Sequence, residues 1–184
     1  MVVSKTYEVQ DCRFYDIGAS ENISKYTTNG TFTYDSTEQA YINSNSSMYI
    51  VRETISGNED FEASMDFKFT STRRSVYFGG SADLRGNDFD AQLYYYNSNS
   101  RLGVWSKING STNAPYVSQS YSADVWYTAK VVKENGTLTA YLLQGDTVIN
   151  SKSVNVTDSN GVADFRIFFE QTVMYFKNIK LKPL

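Results

Sequence analysis

The chain has 184 residues, with 17 Lys and Arg against 20 Asp and Glu, for a formal charge of −3. A near-neutral, slightly acidic chain lacks the electrostatic footprint of a nucleic-acid binder. It has no His and a single Cys, Cys12, which removes the commonest general base, His-based zinc sites, internal disulfides and Cys-His dyads.

No apolar run is long enough to span a bilayer, and the opening Met1–Glu8 lacks the apolar stretch of a signal peptide. Cys12 reads as a buried structural thiol. The chain carries 15 Tyr, 11 Phe and 2 Trp, and it is rich in Ser, Thr and Asn. Aromatic and β-branched residues favour strands, and Asn, Ser and Gly favour the turns between them. The length suits one domain over 1–184. Asn-x-Ser/Thr sequons stand at Asn22, Asn29, Asn45, Asn109, Asn135 and Asn155. Such a composition generates sequons freely, so they are compatible with a surface protein without marking one.

No segment of helical length shows a 3.6-residue apolar period, whereas period-2 alternation recurs along the chain. Strands are predicted over Tyr7–Tyr15, Thr31–Asp35, Ala40–Asn43 and Met48–Arg52, with residues 17–30 an irregular surface loop. The clearest strand is Phe61–Thr70. Phe61, Ala63, Met65, Phe67 and Phe69 share one face, and Glu62, Ser64, Asp66, Lys68 and Thr70 share the other. Strands follow at Ser75–Gly80, Phe89–Asn97 and Leu102–Ile108, the last two joined by a short hairpin connection at 97–100. A polar loop through Pro115 leads to Val125–Lys133. Asn135-Gly136 turns the chain into Thr137–Leu143, Gly145-Asp146 turns it into Val148–Val156, and 158–161 turns it again. Phe165–Glu170 and Val173–Leu181 close the chain. Short strands at regular spacing predict an all-β, two-sheet antiparallel β-sandwich.

The second half carries a recognisable pattern. It runs Trp126-Tyr-Thr-Ala-Lys-Val-Val132, Asn135-Gly136, Leu138-Thr-Ala-Tyr-Leu142 and Gly145-Asp-Thr-Val148. The segment Asn58-Glu-Asp-Phe61 precedes the alternating strand, and Tyr175-Phe-Lys-Asn-Ile-Lys-Leu181 ends the chain. Together these resemble LamG-like members of the concanavalin A-like lectin/glucanase superfamily. Their closing strand often reads Phe-Asp-Asn-Ile; Lys177 replaces the Asp here. The resemblance implies a concanavalin A-like jelly roll with one convex and one concave sheet. Phe14-Tyr-Asp16 and Thr33-Tyr-Asp-Ser36 resemble, less specifically, domains of adhesin-like and phage tail proteins.

Glucanases of that superfamily place a Glu-x-Asp-x-x-Glu-type run on one strand face, and this chain has no such run. Asp88 and Asp90 share a face, but no third carboxylate follows. Glu62 and Asp66 share a face about 13 Å apart, beyond the ~6.5–9.5 Å of an inverting pair. The chain therefore reads as a non-enzyme. Strand alternation predicts that Tyr77, Asp90, Gln92, Tyr94, Tyr96, Trp105 and Lys107 share one outer sheet face. Aromatic rings stack on the C–H face of a pyranose, and Asp and Gln meet its hydroxyls. These seven are the candidate ligand-binding residues. The same rings serve equally for cross-strand packing if loop 109–124 folds over them. The site would then move to the polar loop of Arg73, Arg74, Asp83, Arg85, Asn87 and Asp88. Family members often carry calcium at the sandwich rim, and Asp83, Asn87 and Asp88 offer oxygen ligands.

The expectation is a non-catalytic carbohydrate-binding or adhesion module of a cell-surface or virion protein. Its partner would be a glycan or glycosylated surface, with no nucleic acid and no membrane insertion. It would be extracellular and compatible with a place in a larger multidomain chain. A structural spacer or assembly domain of a surface or phage tail protein is the alternative, and a glycoside-active enzyme with an unrecognised carboxylate pair the lesser one.

Overall fold

A computed structural model describes residues 27–43, 48–53, 60–71, 75–83, 87–95, 99–156 and 164–184. The strands are β1 (Thr27–Asn29), β2 (Phe32–Asp35), β3 (Ala40–Asn43), β4 (Met48–Glu53) and β5 (Phe61–Phe69). They continue with β6 (Ser75–Asp83), β7 (Asn87–Tyr94), β8 (Arg101–Ile108), β9 (Ser111–Asn113) and β10 (Tyr116–Ser118). The chain ends with β11 (Tyr127–Glu134), β12 (Thr137–Gln144), β13 (Thr147–Asn155), β14 (Asp164–Glu170) and β15 (Met174–Pro183). Among the described residues, one eight-stranded sheet runs β1-β4-β14-β6-β7-β8-β10, with β9 also on β8. One seven-stranded sheet runs β13-β12-β11-β5-β15-β3-β2. Every pairing is antiparallel.

Alternation builds the core between the sheets. In β5 every odd position from Phe61 to Phe69 is fully buried. Ala129, Val131, Leu138, Ala140 and Leu142 extend that layer. Val76, Phe78, Phe89, Ala91, Leu93, Leu102, Val104, Ile167 and Phe169 face it from the eight-stranded sheet. The closing strand breaks the alternation at a bulge between Lys177 and Lys180. Asn178 takes φ +51° there, so Phe176 and Ile179, three apart, are both buried. Its side-chain amide donates to Asp66 Oδ2 at 2.7 Å.

One sequence expectation is corrected. Residues 27–29, placed in a loop, form β1 against β4. Of the two courses open to it, the polar segment after Ile108 takes the one along the sheet edge. Its strands β9 and β10 pair along the edge of β8, Ser106 with Asn113 and Gly103 with Tyr116. Asn109 (φ +49°) and Gly110 (φ +82°) make that hairpin, as Asn135 (φ +49°) and Gly136 (φ +73°) make the next. Tyr121 then anchors the chain end-on to the core, 5.3 Å from Phe69 and 5.8 Å from Tyr127 between ring centroids. Its hydroxyl donates to the Arg101 carbonyl at 3.2 Å. The predicted strand at Tyr7–Tyr15, Cys12 and the turn at 158–161 lie outside the described residues. Of the sequons, Asn29, Asn109, Asn135 and Asn155 are exposed, and Asn22 and Asn45 lie outside the described residues.

One inward position is charged. Lys133 ends the inward row of β11 at 1% exposure, with its Nζ 5.2 Å from the Phe89 ring centroid. Asp60 Oδ1 accepts from that ammonium at 3.2 Å, and Asp60 Oδ2 accepts from the Asn135 N–H at 2.8 Å. One carboxylate thus neutralises a buried cation and holds the Asn135-Gly136 hairpin. Breaking a buried pair leaves an uncompensated charge. Asp60→Ala is expected to destabilise the fold by about 3 kcal/mol, while Lys133→Met stays within about 1 kcal/mol of wild type. Urea unfolding midpoints of the two variants check this contrast.

Candidate functional site

The outer face of the eight-stranded sheet is organised in rows across the strands. One row reads Arg166 on β14, Gly79 on β6, Asp90 on β7 and Trp105 on β8. The next reads Phe168, Tyr77, Gln92 and Gly103, with Tyr116 of β10 beyond. A third reads Glu170, Ser75, Tyr94 and Arg101. Tyr77, Asp90, Gln92, Tyr94, Trp105 and Lys107 therefore lie on one face. Tyr96 lies outside the described residues.

The first row is held by an ion pair that skips a strand. Arg166 and Asp90 stand two strand spacings apart, about 10 Å between backbones. Arg166 Nη2 nevertheless donates to Asp90 Oδ2 at 2.5 Å and lies 3.2 Å from Asp88 Oδ2. Gly79 makes the crossing possible. A Cβ there would stand 2.3 Å from the Phe89 carbonyl oxygen and 2.9 Å from Asp90 Cα. No other residue fits without moving backbone.

Burial separates the candidates. Asp90 is 0% exposed and Gln92 4%, so both form the floor of the face. Gln92 Nε2 donates to the Tyr77 hydroxyl at 3.1 Å. Tyr77 meets Trp105 edge-on, with centroids 5.2 Å apart, and stacks on Phe168 at 5.8 Å. Tyr77, Trp105 and Phe168, with Asp88, Arg166 and Glu170, line a cleft of about 230 Å³. At the edge, the Arg101 guanidinium lies 4.7 Å from the Tyr94 ring centroid and 4.4 Å from that of Tyr116.

Electrostatics follow the same division. Burial pushes the Asp90 carboxyl up to about 6, Arg166 opposes that rise, and Asp88 adds to it. Burial works against the Arg166 charge, but Asp90 and Asp88 outweigh it and raise its pKa. Burial also raises the Tyr77 hydroxyl. One oxygen of each aspartate, Asp88 Oδ1 and Asp90 Oδ1, is buried without a hydrogen-bond partner, as is Arg166 Nε.

The donors described do not fit a calcium ion. Asp88 is committed to Arg166, and a guanidinium beside a carboxylate repels a hard cation. The side chains of Asp83 and Asn87, and the loop residues Arg73, Arg74 and Arg85, lie outside the described residues. Among the described residues, no three acidic, His or Cys side chains gather as a metal site.

Sequence reasoning missed Arg166, Phe168 and Glu170. The signal was present in Arg166-Ile-Phe-Phe-Glu170, where polar and aromatic positions alternate with buried Ile167 and Phe169. The pairing of β14 with β6, which sets Glu170 against Ser75, 95 residues earlier in the chain, is what alternation could not show.

Asp90 links stability to pH. Its folded value of about 6 exceeds the ordinary 3.8, so its contribution is fully present below pH 4 and is lost as pH rises through 6. The unfolding free energy of wild type relative to Asp90→Asn is expected to fall by about 3 kcal/mol between pH 4 and pH 8. Urea titrations of both proteins across that range check the slope and its sign.

No protein-family model matches the chain, and no curated protein does. Solved structures do. The exoplasmic/lumenal domain of VIP36 in its Ca2+/Man3GlcNAc-bound form is 12% identical, with TM-score 0.69 over 92% of this chain and 90% of that one. The carbohydrate-binding module CBM66 from Bacillus subtilis is 15% identical, with TM-score 0.61 over 88% and 97%. Peanut lectin is 12% identical, with TM-score 0.63 over 93% and 97%. The two antiparallel sheets of this chain thus form the concanavalin A-like jelly roll that the second half of the sequence resembles.

Proposed function

We propose that this chain is a non-catalytic carbohydrate-binding module that takes a sugar unit in the Tyr77–Trp105–Phe168 cleft. The observation that carries the reading is the cleft itself, where three rings and three charged side chains converge on about 230 Å³. Aromatic faces stack on sugar C–H groups, and Asp88, Arg166 and Glu170 line the same cleft with charged groups that can meet hydroxyls. The volume lies below the ~300–1,000 Å³ of drug-sized pockets and suits one sugar unit with the rest of a glycan outside. Similar folds include a carbohydrate-binding module and a lectin domain in a Man3GlcNAc-bound form, and they support the reading through the fold alone.

The absence of catalysis rests on placement. Asp90 has the pKa of a general acid but is sealed at 0% exposure. A glycosidase carboxylate must reach the scissile bond. Asp88 and Asp90 also share one arginine, and no third carboxylate follows them on their strand. An extracellular setting, on a cell surface or virion, completes the proposal.

A glycan array probed with wild type, Trp105→Ala and Tyr77→Ala tests it, with circular dichroism confirming that each is folded. Selective binding by wild type, weakened about tenfold or more in each folded variant, is the expected outcome. A folded wild type that binds no glycan returns the domain to a structural spacer.

A further inference from the structure

Among the described residues, the same face carries two cations with no acidic partner, and both lie on β8. Arg166 is neutralised by Asp88 and Asp90. Arg101 and Lys107, on the outer side of the adjacent strand, take part in no ion pair among the described residues. Asp88 faces Lys107 in register, but its carboxylate is bonded to Arg166.

Arg101 is also oriented. Tyr94 and Tyr116 lie against its guanidinium at 4.7 and 4.4 Å; Nε is buried out of a ligand's reach, so any contact falls to the two terminal nitrogens. Two rings against the guanidinium restrict its rotation. Uncommitted N–H donors on a fixed guanidinium match the planar oxygens of a carboxylate or sulfate. Tyr116, at 54% exposure, keeps this edge open to solvent.

The spacing connects Arg101 to the cleft. Arg101 and Trp105 lie on one face of β8, about 13 Å apart along the strand. Gly103 stands between them, with Tyr116 Cβ and Gln92 Oε1 closing on the space where its side chain would be, so a ligand would pass over Tyr116 and Gln92. Lys107 lies beyond Trp105, about 20 Å from Arg101. Resting on the carbohydrate reading above, we propose that the ligand is an acidic oligosaccharide. One sugar would occupy the cleft beside Trp105, and a carboxylate or sulfate on another unit would meet Arg101, with Lys107 attracting a further anionic group. The acids of the face do not oppose this. Asp88 and Asp90 are bonded to Arg166, and Glu170 sits three strands from Arg101 in the same row.

Isothermal titration calorimetry of the full chain tests the inference with four probes. These are a heparin-derived hexasaccharide, a hyaluronan hexasaccharide, neutral maltohexaose and inorganic sulfate. An acidic hexasaccharide is expected to bind about tenfold more tightly than maltohexaose, and to weaken as salt is raised. Arg101→Gln should remove most of that preference and Lys107→Gln part of it. Preference for heparin assigns sulfate, and preference for hyaluronan assigns carboxylate. Acidic probes bound no more tightly than maltohexaose, or bound equally by Arg101→Gln, overturn the inference. So does inorganic sulfate that competes as well per charge as the hexasaccharide, since that marks a bare anion site. If Arg101→Gln does not fold, Lys107→Gln and the salt dependence decide. Glycans bound on the array through Trp105 without acidic preference would sink the inference and leave the sugar reading standing. No glycan bound at all would remove both.

Discussion

A guanidinium shared between two buried carboxylates is costly to assemble and costlier to break. Here it sits in the middle of a sheet face, and it settles what the rest of that face has available for a ligand. Arg166 reaches across Gly79 to Asp90 and also touches Asp88. This takes Asp90 out of play as a surface acceptor and holds Asp88 to the guanidinium as well. It ties β14, β6 and β7 together from the outside while Ile167, Phe78 and Ala91 tie them from the inside. The rings of Tyr77, Trp105 and Phe168 then stand around the pair, where a low local dielectric strengthens it.

The opposite face of the sandwich shows why the cleft is on this side. On the outer face of the seven-stranded sheet, polar groups answer one another. Glu62 pairs with Lys130, and Asp66 accepts from Thr128 and Asn178. Lys68 bonds Glu38 at 2.7 Å and lies over the rings of Trp126 and Tyr175. Lys177 covers Trp126 from 4.1 Å and donates to the Glu38 carbonyl. The ring with the most to offer a sugar on that side is capped by two ammonium groups of its own chain. Trp105 carries no such cap, and its neighbour Gly103 has no side chain. Satisfied ladders stabilise a sheet, whereas unpartnered donors and open rings leave it able to bind.

The fold was legible because its signal is local. The alternation in Phe61–Phe69 and the Asn135-Gly136 turn need only neighbouring residues to be read, and both stand in the structure as the sequence predicts. Asn109-Gly110 carries the same hairpin chemistry and would have revealed β9. The closing Phe176-Lys-Asn-Ile179 has a physical reason as well, since Asn at the bulge takes a positive φ that few side chains tolerate. The face shared by Tyr77, Asp90, Gln92, Tyr94, Trp105 and Lys107 followed from alternation in three consecutive strands. What alternation could not supply was depth. Asp90 and Gln92 belong to the floor because Arg166 arrives from β14, 76 residues further along the chain. That distance leaves no periodic trace. Gly79-Gly80 inside a strand was the available hint, since glycine in a strand interior marks close approach.

Shared architecture and shared chemistry separate at this point. A jelly roll at 12–15% identity to lectin and carbohydrate-binding structures needs only the inward rows to be apolar and the turns to close. The outer rows are free to change. In this chain they hold a strand-skipping ion pair, a three-ring cleft and an arginine set against two tyrosines. None of these is required to build the sandwich, and the ion pair adds a pH liability through Asp90. Gly79 likewise leaves a strand interior without a packing side chain. On this face the departures from the strand rules stand beside the rings of Tyr77, Trp105 and Phe168, and that coincidence is what the proposed carbohydrate site rests on.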